Sequence, residues 1–123
     1  MTTSRRAARR NALFALYKWD LTGTLDLGDE ADEYTRETVA AVQSRAEELD
    51  ARITASAEGW TSDRFGVVER NVLRIAIHEL ESGVVPPEVA IDEAVTLAKR
   101  YASEDAGRLV NGILGRVARE EAA

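Results

Sequence analysis

The chain has 123 residues, with 16 basic and 22 acidic side chains and a formal net charge of −6. That length suits one domain, large enough to bury a core without staples. Having no cysteine, it can form neither a disulfide nor a thiolate metal site, and no apolar run approaches the roughly 18 residues of a membrane helix.

Residues 4–21 have helical spacing. Ala8, Ala12, Ala15, Leu16 and Trp19 fall on one face, while Arg6, Arg10 and Tyr17 lie within about 40° of one another with Leu13 beside them. The second face is either a solvated surface with an ordinary exposed tyrosine or a basic stripe that continues into an aromatic platform. Residues 1–10 hold four arginines (Arg5, Arg6, Arg9, Arg10) and no acid, so the rest of the chain carries 12 basic and 22 acidic side chains. A basic arm on an acidic body suggests an interaction tail. The body's acidity serves solubility, repels nucleic acid from other surfaces, or meets a basic protein. No acid lies within helical reach on the arm, and like charges at i and i+4 repel (Arg5 with Arg9, Arg6 with Arg10). The first turn is therefore expected to fray until phosphates relieve it. No apolar stretch follows the charged start, so it is not a signal peptide, and a cytoplasmic protein without membrane contact is expected.

Residues 22–29 hold two glycines and several polar side chains and read as a loop. Residues 30–58 have apolar or aromatic positions at 34, 39, 42, 46, 49 and 53, again helical. Ser44-Arg-Ala-Glu47 matches a capping box, which predicts a break or kink near Ser44. Gly59 is a plausible stop, after which Trp60 packs and Thr61 or Ser62 starts a short turn.

Residues 64–81 organise the chain. Val68, Val72, Leu73, Ile75, Ala76, Ile77 and Leu80 cover more than half the circumference of a helix, leaving Arg70, Asn71, Arg74, His78 and Glu81 a narrow remainder. A helix this apolar is packed on several sides. Glu69 and Glu79 point into the apolar arc, where a lone carboxylate is costly; each is expected at an edge or paired with an arginine.

Residues 82–87 end that helix, and Pro87 suits the first turn of the next. Residues 87–102 put Ala90, Ile91, Ala94, Val95, Leu97, Ala98 and Tyr101 on one face. Ser103 or Asp105 caps a last helix over about 105–120, with Leu109, Val110, Ile113, Leu114 and Val117 as core. Gly112 and Gly115 lie off that face; an interior glycine costs about 1 kcal/mol, which either close approach to another helix or to a ligand offsets or an exposed face simply tolerates. No segment has strand periodicity. The expected fold is all-α: a compact bundle of about six to seven helices around a central buried helix near 64–81.

No nucleophile elbow, P-loop, dinucleotide fingerprint or zinc-protease motif is present. His78 is the only histidine and has no second ligand, so no metal, no cofactor and no enzymatic activity are expected.

Three stretches, Leu73-Arg-Ile-Ala-Ile-His-Glu-Leu80, Val89-Ala-Ile-Asp-Glu-Ala-Val-Thr-Leu-Ala-Lys99 and Leu109-Val-Asn-Gly-Ile-Leu114, together resemble the NusB family of transcription antitermination factors. The arginine-rich opening followed by Ala15-Leu16-Tyr17 is similar to that family's N-terminus. The resemblance covers residues 4–22 and 60–117 well and the middle poorly. It implies a small all-α protein that binds boxA-type single-stranded RNA of nascent ribosomal transcripts. Its implied protein partner is the ribosomal protein NusE, and the pair helps load an antitermination complex on RNA polymerase, the factor itself being a monomer or a homodimer. By matching position, the RNA contacts implied are the arm (Arg5, Arg6, Arg9, Arg10), Tyr17, Glu69, and the stretch from Asp105 to Leu109. A glutamate accepts hydrogen bonds from a base amino group, which would give Glu69 a role beside a basic arm. This sequence departs from the family at three places. The segment between Trp19 and Tyr34 is shorter and lacks a helix, position 109 is leucine where an aromatic is frequent, and His78 stands at an aromatic-type position. The alternative reading is a diverged helical scaffold that binds proteins without specific RNA recognition.

Overall fold

The structure is a computed structural model and describes residues 4–57 and 65–123. Among these residues there are six helices and no strand: α1 (Arg5–Thr22), α2 (Glu33–Ser44), α3 (Ala46–Ser56), α4 (Val67–Ser82), α5 (Pro87–Tyr101) and α6 (Glu104–Ala122). None of them is long and apolar enough to cross a membrane. The readings at Gly59, Trp60, Thr61 and Ser62 lie outside the described residues.

Helix α4 packs against all five others. Its broad apolar arc is why. Val72, Leu73, Ile75, Ala76 and Ile77 are at most 2 % exposed, and together they seal the centre of one buried cluster to which every helix contributes. The surrounding helices each need only one apolar face: Val39 and Val42 from α2, Leu49 and Ile53 from α3, Val110, Ile113, Leu114 and Val117 from α6.

The narrow polar side of α4 is also covered. Asn71 and Arg74 are 0 % and 4 % exposed. Arg74 donates to both carboxylate oxygens of Asp50 on α3 at 2.8 and 2.7 Å, and to Asp20 of α1 at 3.3 Å. Asn71 Nδ2 reaches the same Asp20 oxygen at 3.2 Å. Burying such groups is tolerable because they bond one another; the network fastens α1 and α3 to one edge of α4.

Helix ends follow local chemistry. Ser4 caps α1, its hydroxyl accepting from the Ala7 N–H at 3.1 Å. At the end of α4 the chain turns through Gly83 at φ +69°, a left-handed conformation that glycine adopts without steric cost. Pro87 opens α5, and Ser103, not Asp105, caps α6 by accepting from Ala106 N–H at 3.0 Å. The break between α2 and α3 falls at Arg45, where φ is −115° and ψ 16°. Ser44 does not cap α3. It is the last residue of α2, and its hydroxyl donates back to Ala41 O at 3.1 Å. Arg45 stands at the break, its guanidinium reaching Glu48 at 3.0 Å and Glu81 of α4 at 2.5 Å.

Three further expectations change. Leu13 is 1 % exposed, because α1 is covered by both α2 and α4 and so buries a wider face than its alanine row. Leu109 is only half-buried, at the rim of the α6 core face. The close approach on α6 occurs at Gly107, where a Cβ would sit 2.6 Å from Lys99 Cγ. No helix approaches Gly112 among the described residues; it faces an open cavity instead.

Candidate nucleic-acid interface

The four arm arginines have four different environments. Arg9 is buried at 4 % exposure and donates through Nε and Nη2 to the two carboxylate oxygens of Glu79 at 2.7 and 2.8 Å. That hydrogen-bonded carboxylate, more than any other influence, raises the Arg9 pKa. Arg6 is exposed and forks onto Glu93 of α5 at 2.9–3.2 Å; the same bond holds the Glu93 carboxyl below the usual range. Arg5 lies over the Tyr34 ring, 4.9 Å from its centroid. Arg10 is exposed and forms no ion pair among the described residues.

The expected fraying of the first turn is therefore corrected. The acids that balance the arm come from α4 and α5, not from the arm itself, and α1 is helical from Arg5 onward. Arg9 points inward and offers no guanidinium to a phosphate in this conformation. Of the two carboxylates that interrupt the α4 arc, Glu79 is paired with an arginine, as expected. Glu69 sits at an edge as an N-terminal cap, accepting from the Gly66 N–H at 3.0 Å.

Tyr17 is 41 % exposed and Phe14, one turn earlier on α1, 48 %. Phe14 meets Tyr101 edge to face, centroids 5.1 Å apart at 84°. This contact and the Arg6–Glu93 pair share one 87-residue offset, so α1 and α5 run side by side in the same direction.

The remaining site residues meet at the start of α6. Glu69, Asp105 and Leu109 line one open cavity of about 690 Å³, together with Ser56, Arg108, Arg116 and Arg119. Asp105 contacts Arg108 one turn along α6. The Ser56 hydroxyl is buried with no hydrogen-bond partner among the described residues. A carboxylate offers about four lone-pair sites, so the Glu69 cap bond leaves acceptor capacity for a base amino group. Basic walls around a carboxylate and an apolar side chain can hold a nucleotide: cations for phosphate, acceptors for a base edge.

Phe14 and the α6 arginines were not singled out from the sequence. For Phe14 the signal existed, because it lies i+4 from Arg10 on the exposed side of α1. For Arg108, Arg116 and Arg119 it did not, because the cavity is closed by α3 and α4 from elsewhere in the chain.

A small all-helical protein with a basic and aromatic edge and a basic-walled cavity is suited to single-stranded nucleic acid. The NusB family model matches residues 6–119, and the chain belongs to the NusB family. It is 38 % identical over 123 residues to the transcription antitermination protein NusB of Halalkalibacterium halodurans, covering 92 % of each chain. The fold superposes on the NusB structure from T. maritima with a TM-score of 0.87 at 36 % identity, covering 98 % of this chain and 94 % of that one. It also superposes on NusB in the crystal structure of antitermination factors NusB and NusE in complex with dsRNA. There the TM-score is 0.82 at 32 % identity, with 94 % and 96 % covered. The segment between α1 and α2 carries no helix, as expected.

Proposed function

We propose that this chain is a transcription antitermination factor that binds boxA-type RNA of nascent ribosomal transcripts together with the ribosomal protein NusE, in the cytoplasm and without catalysing a reaction. The observation that carries the site is the convergence of Glu69, Asp105 and Leu109 on one cavity with Arg108 and Arg119 on its wall. Exposed Arg10 and Tyr17 supply the approach to it. Arg5 and Arg6 are available at the surface at the expense of weaker contacts to Tyr34 and Glu93. Phosphate contacts position the strand, and Tyr17 and Glu69 read bases by stacking and hydrogen bonding. Arg9 acts by fixing α1 against α4. The acidic body keeps RNA to this edge and offers a surface to a basic ribosomal protein.

The test is Glu69→Gln. Glutamine keeps the reach back to the helix N-terminus but loses the charge and half of the acceptor capacity. Binding to boxA-type RNA should weaken toward that of a scrambled strand, while thermal stability stays near wild type. Unchanged discrimination between the two RNAs would remove Glu69 from the interface.

The internal commitments of Arg6 and Arg9 favour a second reading, a helical scaffold whose arm is purely structural. That reading predicts NusE binding with no dependence on RNA.

A further inference from the structure

Single apolar side chains on a surface are ordinary. Phe14 is not single. Its ring is fixed edge-on against Tyr101, the Arg100 guanidinium lies 5.6 Å from the Tyr101 ring centroid, and Arg10 stands one turn before it on α1. Neither arginine has an acidic partner among the described residues. Tyr17 follows about 4.5 Å further along the helix axis. One edge of the molecule therefore presents two half-exposed rings on α1, a third ring that locks the first in place, and two cations free to take anions.

The composition of this edge selects its occupant. An apolar protein segment would cover the rings and leave Arg10 and Arg100 facing no anion. A single nucleic-acid strand supplies both π-faces and phosphates at short repeat, the combination that ring-and-arginine grooves take up. We propose that Phe14, held by Tyr101, is a stacking platform for one base of single-stranded RNA, with Arg10 and Arg100 receiving the flanking phosphates. The inference rests on the RNA-binding reading above and adds a stacking position upstream of Tyr17. It also supplies an aromatic surface on a chain whose position 109 is leucine.

The test uses the full chain and boxA-type RNA carrying an abasic nucleotide at each position in turn. Wild type is compared with Phe14→Leu, which keeps apolar cover over Tyr101, and with Phe14→Trp, which enlarges the ring. Because Phe14 is half exposed, both variants should melt close to wild type. Phe14→Leu should bind roughly tenfold more weakly, from the worth of one base–aromatic stack, with an unchanged salt slope. One abasic position should weaken wild type yet leave Phe14→Leu indifferent, and Phe14→Trp should bind at least as tightly as wild type. If Phe14→Leu matches wild type while Arg10→Ala weakens binding, the platform is wrong and the RNA reading stands. If Phe14→Leu lowers affinity for NusE and not for RNA, the edge is a protein-docking surface and the proposal is overturned. If wild type binds no RNA, both readings fall together.

Discussion

Arg9 and Glu79, 70 residues apart in sequence, form a two-pronged ion pair with side chains only 5 % and 2 % exposed. The pair joins the first turns of α1 to the last turns of α4. It makes part of the basic arm a structural element, and it gives a buried carboxylate on the central helix its counter-charge.

Breaking that pair from one side should be expensive. Glu79→Ala leaves a buried guanidinium without its carboxylate, a change that costs about 3–5 kcal/mol, and a denaturant melt would show it directly. Replacing both partners by apolar residues, Arg9→Met with Glu79→Leu, should recover much of the loss. The double variant should also keep its RNA affinity, because Arg9 faces inward. A large loss of RNA binding in a well-folded double variant would return Arg9 to the interface.

The arm arginines should separate in a salt titration. Arg10→Ala removes an uncommitted cation, so RNA binding should weaken for every sequence and the salt slope should fall by about 0.7 for a lost single-strand phosphate contact. Stability should not change. Arg6→Ala should show the same slope change with little stability loss, because its ion pair with Glu93 is solvent-screened. An unaltered slope in both variants would make the arm a solvated surface.

The core assignment is tested by Ile75→Ala. Ile75 is 2 % exposed, and emptying such a site costs about 2–5 kcal/mol. A denaturant midpoint equal to that of wild type would remove α4 from the centre of the fold.

His78 gives the fold a pH dependence. Burial chiefly, then the Arg45 charge, holds its imidazole below the ordinary value, against the opposing pull of Glu79 and Glu81. Arg45 Nη1 stands 3.5 Å from Nδ1. The unfolded chain takes up a proton near pH 6.5, and the folded chain does so only at lower pH. Stability therefore falls as pH drops from about 6.5 toward the folded value. Denaturant midpoints at pH 7.5 and 5.5 should differ more in wild type than in His78→Gln; equal differences would assign the dependence to other groups.

The sequence carried the helices and most of their faces. The broad arc over residues 64–81 predicted a central helix, and glycine, serine and proline marked most boundaries to within a residue or two. Periodicity reports which face of a helix is apolar, but not what covers the other face. Asn71 and Arg74 lay on a polar strip and proved buried, because Asp20 and Asp50 from other helices satisfy them. The arm looked unbalanced for the same reason, since Glu79 and Glu93 are 70 and 87 residues away. Ser44 matched a capping pattern, yet its hydroxyl turns back to Ala41 O within α2, and the break falls one residue later at Arg45. In the site, the resemblance supplied Glu69, Asp105 and Leu109 separately. Their meeting in one cavity depends on the packing of α4 against α6.

The most direct test of the account is a pair of affinities measured in a cycle: boxA-type RNA with and without NusE, and NusE with and without that RNA. Coupling between two sites is reciprocal, so each ligand should tighten the other by the same factor, and scrambled RNA should show a smaller one. Partner binding unaffected by RNA, with no preference for boxA-type over scrambled sequence, would contradict the account and leave a helical scaffold.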